Sequence, residues 1–263
     1  MTEDHAERVE RAFTLQAAAF ENPRFNRVFT TDAEWIFDRL RLTGDELLLD
    51  VAAGTGHAAR QLAPSVRAAI ALDATKAMLR TGKAHAEHAG LANVAFIQGD
   101  AAALPFEDGS FDVVVSRFAV HHFADPAAPV GEMVRALRPG GRIAVADVVA
   151  DERPEVAARQ NELERLRDPS HTRMLTVAEL GELLARAGIE GLSAEVRDRE
   201  RPLAPWLEQA RASEADATRI ADALRAELVG GPATGFAPSL RDGELCFVHR
   251  FASLIGTSPP ARG

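Results

Sequence analysis

Three carboxylates and two glycines carry the chemistry that this chain offers first. Asp50, Asp73 and Asp100 close three separate apolar runs: Leu47 to Asp50, Val66 to Asp73 and Asn93 to Asp100. Runs without polar alternation are what strands covered on both faces look like. In a parallel α/β sheet the carboxyl ends of such strands line one crevice, where ligands bind. Gly54 and Gly56 follow the first run in Asp50-Val51-Ala52-Ala53-Gly54-Thr55-Gly56. Glycine lets the backbone turn tightly and approach a ligand where a Cβ would intrude. The helix that begins there offers unpaired N–H groups to whatever sits in the turn. A nucleotide-like cofactor is the first expectation.

Two cofactors compete for this turn. Gly54-Thr55-Gly56-His57-Ala58-Ala59 fits the dinucleotide pattern G-x-G-x-x-G/A, with Asp73 as its acid 17 residues past Gly56. That is the NAD-dependent oxidoreductase reading. The same turn, read as Asp50-x-x-x-Gly54-x-Gly56, resembles motif I of class I methyltransferases that use S-adenosylmethionine (SAM). A dinucleotide needs only the middle acid, whereas SAM engages all three. One carboxylate near the first turn receives the ammonium of its methionine part, one at the second strand takes the ribose hydroxyls, and one after the third takes the adenine amino group. The chain also has no tyrosine, so it lacks the Tyr/Lys pair of short-chain dehydrogenases.

Over residues 45 to 148 the chain resembles the class I SAM-dependent methyltransferases of the ubiquinone and menaquinone biosynthesis group, methyltransferase type 11. The matching segments are Leu49 to Gly56, Leu72 to Leu79, Gly99 to Phe106, Asp108 to Asp112, His121-His122-Phe123 and Leu137 to Gly141. Ala52 departs from the pattern, standing where many members carry glycine. The resemblance implies a cofactor site of Asp50, Ala52, Gly54, Thr55, Gly56, Asp73, Ala74, Asp100, Ala101 and Arg117. It implies SAM as cofactor, S-adenosylhomocysteine as product, and methylation at carbon or oxygen of a small, apolar or ring-containing acceptor. A SAM-binding enzyme that catalyses a non-methylating cyclisation or elimination would carry the same motifs. Past residue 150 the resemblance supplies no substrate.

Methyl transfer needs little from the protein beyond in-line positioning, exclusion of water and removal of an acceptor proton. Histidine suits the last task near neutral pH. His121 and His122 follow the fourth apolar run, Phe111 to Ser116, and as neighbours point in different directions. His171 sits in the polar turn Arg167 to Arg173. These three are the candidate catalytic residues, His121 first. His57 is expected near the methionine part of the cofactor. His85 and His88 stand three apart on one helix without an evident third ligand, and no metal site is expected.

Composition narrows the partners. A net charge of −9 over 263 residues argues against nucleic acid, which requires a basic footprint. The single Cys246 excludes an intramolecular disulfide, the start Met1 to His5 has no apolar signal region, and no run approaches a membrane span. A cytoplasmic protein with a small-molecule acceptor, no nucleic acid and no membrane is expected; a homodimer is left open.

The elements that must position these groups read as an α/β chain. Strand and helix alternate, giving a doubly wound, Rossmann-like sheet; by resemblance it has seven strands in the order 3-2-1-4-5-7-6. Residues 1–42 are expected as a helical lid, 43–256 as the SAM-binding domain with a helical insertion at 200–243, and 257–263 as a flexible tail. Val9, Phe13, Ala17 and Phe20 have helical spacing over about 5 to 20. After Pro23, a second helical stretch is expected from Asp32 to Leu40. Thr75, Thr176 with Glu179, and Ser213 read as N-caps, and Gly90 and Gly188 as C-terminal stops. Phe13, Phe20, Phe25, Phe29, Phe118, Phe123, Trp206 and Phe236 lie outside the expected strands and are candidates to line an apolar pocket.

Overall fold

The uninterrupted apolar runs form the centre of a single sheet. β1 (Leu47–Val51), β2 (Ala68–Asp73), β3 (Val94–Gln98), β4 (Phe111–Arg117) and β5 (Leu137–Val148) are all parallel. The computed structural model describes residues 5–18, 20–22 and 34–261. Successive residues of a strand face opposite sides. Leu48, Val113 and Val115 therefore enter one apolar layer with Ile36 and Leu40, while Leu49, Val51 and Val114 enter the other with Met133 and Leu180. With both faces buried, the polar residues of β1, β2 and β5 that matter to the site, Asp50, Asp73 and Asp147, stand at or next to the carboxyl ends of their strands.

β8 (Glu244–Thr257) runs antiparallel between β5 and β6 (Glu190–Pro202), giving the order β3-β2-β1-β4-β5-β8-β6. This is the expected arrangement with one strand added. β7 (Ser239–Arg241) pairs with the start of β8. Asp242 and Gly243, both at positive φ, make the two-residue turn that joins them.

Helices fill the connections: α1 (His5–Gln16), α2 (His57–Leu62), α3 (Lys76–His88), α4 (Ala127–Ala136), α5 (Pro154–Arg167), α6 (Val177–Arg186), α7 (Leu203–Ala210) and α8 (Glu214–Leu228). The capping box of Thr176 and Glu179 opens α6, and Ser213 caps α8. Thr75 holds the N-cap position of α3 but its side chain caps nothing. Its own N–H donates instead to Asp73 Oδ1 at 2.7 Å.

Three further expectations change. The stretch before β1 is two single 3₁₀ turns, Glu34–Ile36 and Asp38–Leu40, in place of a helix, with its start at Asp32 outside the described residues. Trp35, Ile36 and Phe37 are buried in succession, which a surface helix with one apolar stripe cannot do. These residues join the core below the sheet and do not cover the site. The expected flexible tail is pinned at its start: Gly140 N–H donates to the Pro259 carbonyl at 3.1 Å and the Ser258 hydroxyl to the Arg138 carbonyl at 2.6 Å. Trp206 and Phe236 are fully buried in a satellite core with Leu163, Ile220, Leu224 and Phe247, which fastens α7 and α8 to α5 and β8.

Candidate functional site

A cavity of about 510 Å³ opens at the carboxyl ends of β1 to β5. One end is made by the turn after β1. Ala53 N–H donates to the Leu72 carbonyl, tying the turn to β2, and Gly54 N–H donates to Asp73 Oδ2 at 2.7 Å. Both oxygens of Asp73 thus order backbone beside them, one in the glycine turn and one at the start of α3. Ala52 sits at φ +53°, Gly54 at +57° and Gly56 at +66°. For Ala52 this left-handed conformation is strained where glycine would not be.

The structure distributes the ten expected cofactor residues unequally. Ala52, Gly54, Thr55, Asp73, Ala74, Asp100, Ala101 and Arg117 line the cavity. Asp50 and Gly56 do not. Asp50 is buried behind the turn, where its Oδ2 accepts the Ala59 N–H of α2 at 2.9 Å. Burial pushes its pKa up to about 7, partly offset by that hydrogen bond and by the charge of Arg117. Its Oδ1 has no hydrogen-bond partner among the described residues. Gly56 is required for packing: a Cβ there would stand 2.8 Å from the Phe96 ring. His57 is half-buried at the start of α2, away from the cavity wall, and desolvation lowers its pKa to about 3.

Two residues that sequence patterns did not single out complete this end. Gly82 on α3 lies so close to the turn that a Cβ would meet the Thr55 carbonyl oxygen at 2.0 Å. Its position inside a helix gives no glycine signal until the neighbouring loop is placed. Glu21 reaches the turn from the segment after α1. It accepts hydrogen bonds from the Thr55 hydroxyl and the Arg60 guanidinium, and His85 Nδ1 lies 3.2 Å away. Burial opposes its charge, but Thr55 and Arg60 outweigh it and hold the carboxyl below its usual range. His85 therefore serves this network. Among the described residues no cluster of metal-ligating groups is found.

The three expected catalytic histidines come together in one stack. His121 and His122 line the cavity with ring centroids 4.1 Å apart, and His171 stands 5.4 Å from His121. His171 itself does not reach the cavity wall. It is buried beneath, with Nε2 2.9 Å from the Asn161 amide oxygen, and burial lowers its pKa to about 3. That contact ties the turn after α5 back to α5. Nδ1 of His122 lies 3.0 Å from the Ser170 carbonyl, which can only accept, so Nδ1 carries the hydrogen. Burial and the neighbouring charge of His121 lower the His122 pKa to about 4.

His121 behaves oppositely. Its Nδ1 lies 2.5 Å from Asp147 Oδ1, and its backbone N–H donates to Asp147 Oδ2 at 3.0 Å. Burial works against a charged ring, but the charge and hydrogen bond of Asp147 outweigh it, so the pKa is raised above 6.5. Asp147 was overlooked in the sequence although it closes the apolar run of β5, as the other acids close theirs. Nδ1–H bound to a carboxylate leaves Nε2 as the proton acceptor.

α1 covers the opposite side. Val9, Phe13 and, beyond the helix, Phe20 line the cavity with Phe118 and Phe123. Nε2 of His5 lies 2.7 Å from the His122 carbonyl, and the Phe13 ring packs edge-on against His122. Trp206 also reaches the wall, whereas Phe236 lies only in the satellite core. Phe25 and Phe29, like Pro23, fall outside the described residues.

A doubly wound sheet with an antiparallel last strand, whose acid-tipped strand ends open on one cavity, defines a class I SAM-dependent methyltransferase. Comparison with known proteins gives the family. Residues 49–145 match the model of a methyltransferase domain, and the chain belongs to that family. It is 43% identical over 132 residues to the uncharacterized methyltransferase YcgJ of Bacillus subtilis, covering 50% of this chain and 52% of YcgJ. It is 36% identical over 162 residues to the uncharacterized protein YafE of Escherichia coli, covering 60% of this chain and 77% of YafE. Identity to a demethylmenaquinone methyltransferase of Renibacterium salmoninarum is 37% over 112 residues, 43% of this chain and 45% of that one. In sequence the chain thus spans about half the length of two of these three relatives. The crystal structure of YcgJ superposes with a TM-score of 0.78 at 28% identity, over 86% of this chain and 97% of YcgJ.

Proposed function

We propose that this protein transfers the methyl group of SAM to a small, apolar or ring-containing acceptor at carbon or oxygen. The observation that carries the reading is the continuity of one cavity from the Asp73-anchored glycine turn to the His121–Asp147 pair. SAM supplies an activated methyl group when bound. Asp73 and Asp100 would take the ribose and the adenine amino group, with Ala52, Gly54, Thr55, Ala74 and Ala101 as backbone cradle. Asp50, behind the turn, would reach the methionine ammonium through water: its buried Oδ1 has no donor among the described residues, and such an oxygen gains from an added donor. Arg117 borders the same end and would face the methionine carboxylate.

His121 would accept the acceptor's proton at Nε2, its ring oriented and made more basic by Asp147. α1 and the aromatic residues would exclude water. A relative's name, demethylmenaquinone methyltransferase, supports a small-molecule acceptor. Net charge of −9 supports the absence of a nucleic-acid partner; among the described residues no helix is long and apolar enough to cross a membrane. The reading includes a cytoplasmic setting, with α1, Phe20 and residues 200–243 as the parts that shape the acceptor side.

Calorimetric titration with SAM, S-adenosylhomocysteine and NADH tests this. Micromolar binding of the first two with silence from NADH is expected. Binding of NADH without response to SAM would overturn it.

A further inference from the structure

The helix that roofs the cavity has little core contact to hold it. No residue of α1 is fully buried, and its apolar residues Val9 and Phe13 face the cavity. A segment with few buried apolar contacts opens at low cost. α1 has 12 residues and so spans ~18 Å, with polar contacts at or just beyond each end.

Fastening at the acceptor end is light. The half-buried His5 ring has its Nε2 2.7 Å from the His122 carbonyl and 3.2 Å from the Thr172 hydroxyl. At the cofactor end the fastening is ionic. One carboxylate oxygen of Glu21 accepts from the Thr55 hydroxyl and the Arg60 guanidinium, and the other lies 3.2 Å from His85 Nδ1. These partners belong to the glycine turn, α2 and α3. Hydrogen bonds to an ionised group are the strong ones.

Phe20, the neighbour of Glu21, covers the same turn. A Cβ on Gly54 would stand 3.9 Å from its ring, and that ring meets Phe13 edge-on with centroids 6.1 Å apart. The segment after α1 thus roofs the turn with Phe20 and ties itself down with Glu21. Phe20 lines the cavity, whereas Glu21 stands outside the lining. Its contacts join protein to protein.

We infer that α1 and Phe20 form a gate over the cofactor, latched by Glu21 on Thr55 and Arg60, and that SAM and S-adenosylhomocysteine exchange only when this latch opens. Since Glu21 holds protein groups and not the ligand, weakening it raises the open fraction alike with and without cofactor. Entry and exit then speed up by one factor and affinity is kept. Opening of such covers sets the turnover of many enzymes. The inference rests on the methyltransferase reading and adds how its cofactor is exchanged.

The test is stopped-flow measurement of S-adenosylhomocysteine association and dissociation, followed by tryptophan fluorescence, since Trp206 lines the cavity. In Glu21→Gln both rate constants rise about tenfold, the scale of one charge-assisted hydrogen bond, while Kd stays within about twofold. Hydrogen exchange on the same variant separates a gate from a prop: amides of α1 exchange faster while those of β1 and β4 keep their protection. Unchanged rate constants overturn the inference. Faster release with proportionally weaker binding overturns it too, because Glu21 would then be a cofactor contact. So does lost protection in β1 and β4, with Glu21 then holding the sheet, or a larger rise in His5→Ala than in Glu21→Gln. Failure of S-adenosylhomocysteine to bind the unaltered protein would instead overturn the methyltransferase reading.

Discussion

The two ends of the cavity are built by different means. At the glycine turn most contacts involve main chain: Gly54 and Thr75 donate to Asp73, Ala59 donates to Asp50, and the Thr55 carbonyl lies against the bare Cα of Gly82. At the far wall the contacts are between buried side chains brought from distant parts of the chain, Glu164 with His249 and Arg201 with His249. A turn made of backbone tolerates few substitutions near it but can be read locally. A wall made of side chains can be rebuilt without disturbing the sheet, so one fold can keep its cofactor while changing its acceptor.

Substitutions should separate the two ends. The largest effect is expected from Asp73→Ala, which removes one hydrogen bond from the turn and one from the start of α3 as well as the proposed ribose contact. SAM affinity should fall by about 100-fold or more, and calorimetry showing unchanged affinity would end the assignment. His121→Ala should lower kcat by about 100-fold, the low end for general base catalysis, while S-adenosylhomocysteine binds as before.

Asp147→Asn refines that contrast through pH. With Asp147 present the His121 pKa is raised, so the rising limb of kcat with pH should lie above 6.5, and in the variant it should move to lower pH. The linkage has the same sign: this ion pair stabilises the fold below pH 6.5 and its contribution fades as pH rises through the raised pKa. Ring NMR of His121 in both proteins reads the shift directly.

The smallest effects are in stability and oppose each other. Gly82→Ala drives a Cβ into the Thr55 carbonyl and should cost about 2 kcal/mol. Ala52→Gly relieves the strain at φ +53° and should add about 1 kcal/mol. Thermal melting of both variants checks the pair. Melting temperatures that move together would show that the turn is not under the backbone constraint described.

How far the sequence could be read follows the same division. β1, β2 and β4, with the turn after β1, were legible because burial on both faces and left-handed backbone leave local marks in residue type. The doubly wound class came through the alternation of strand and helix, and the order of strands through resemblance alone. Asp147 was available to the rule that identified Asp50, Asp73 and Asp100, since it too ends an apolar strand. Glu21, Gly82, Arg201 and His249 carry no local mark. Their roles exist only once segments 27 to 85 residues apart in sequence have met. The stretch before β1 misled for a related reason: Trp35, Ile36 and Phe37 show helical apolarity, but packing buried all three and left no stripe.

The insertion of β8 between β5 and β6 has a consequence for synthesis. Among the described residues β6 pairs with β8 alone, and β8 begins only at Glu244, 42 residues after Pro202 closes β6. While the chain is still emerging from the ribosome, the five parallel strands can assemble, but the outer edge of β5 stays bare and β6 has no ladder to join. Such an edge invites pairing with another chain. Delivery of residues 244–257 seals β5 and recruits β6 in one event, so truncation within β8 should leave a nascent sheet that aggregates.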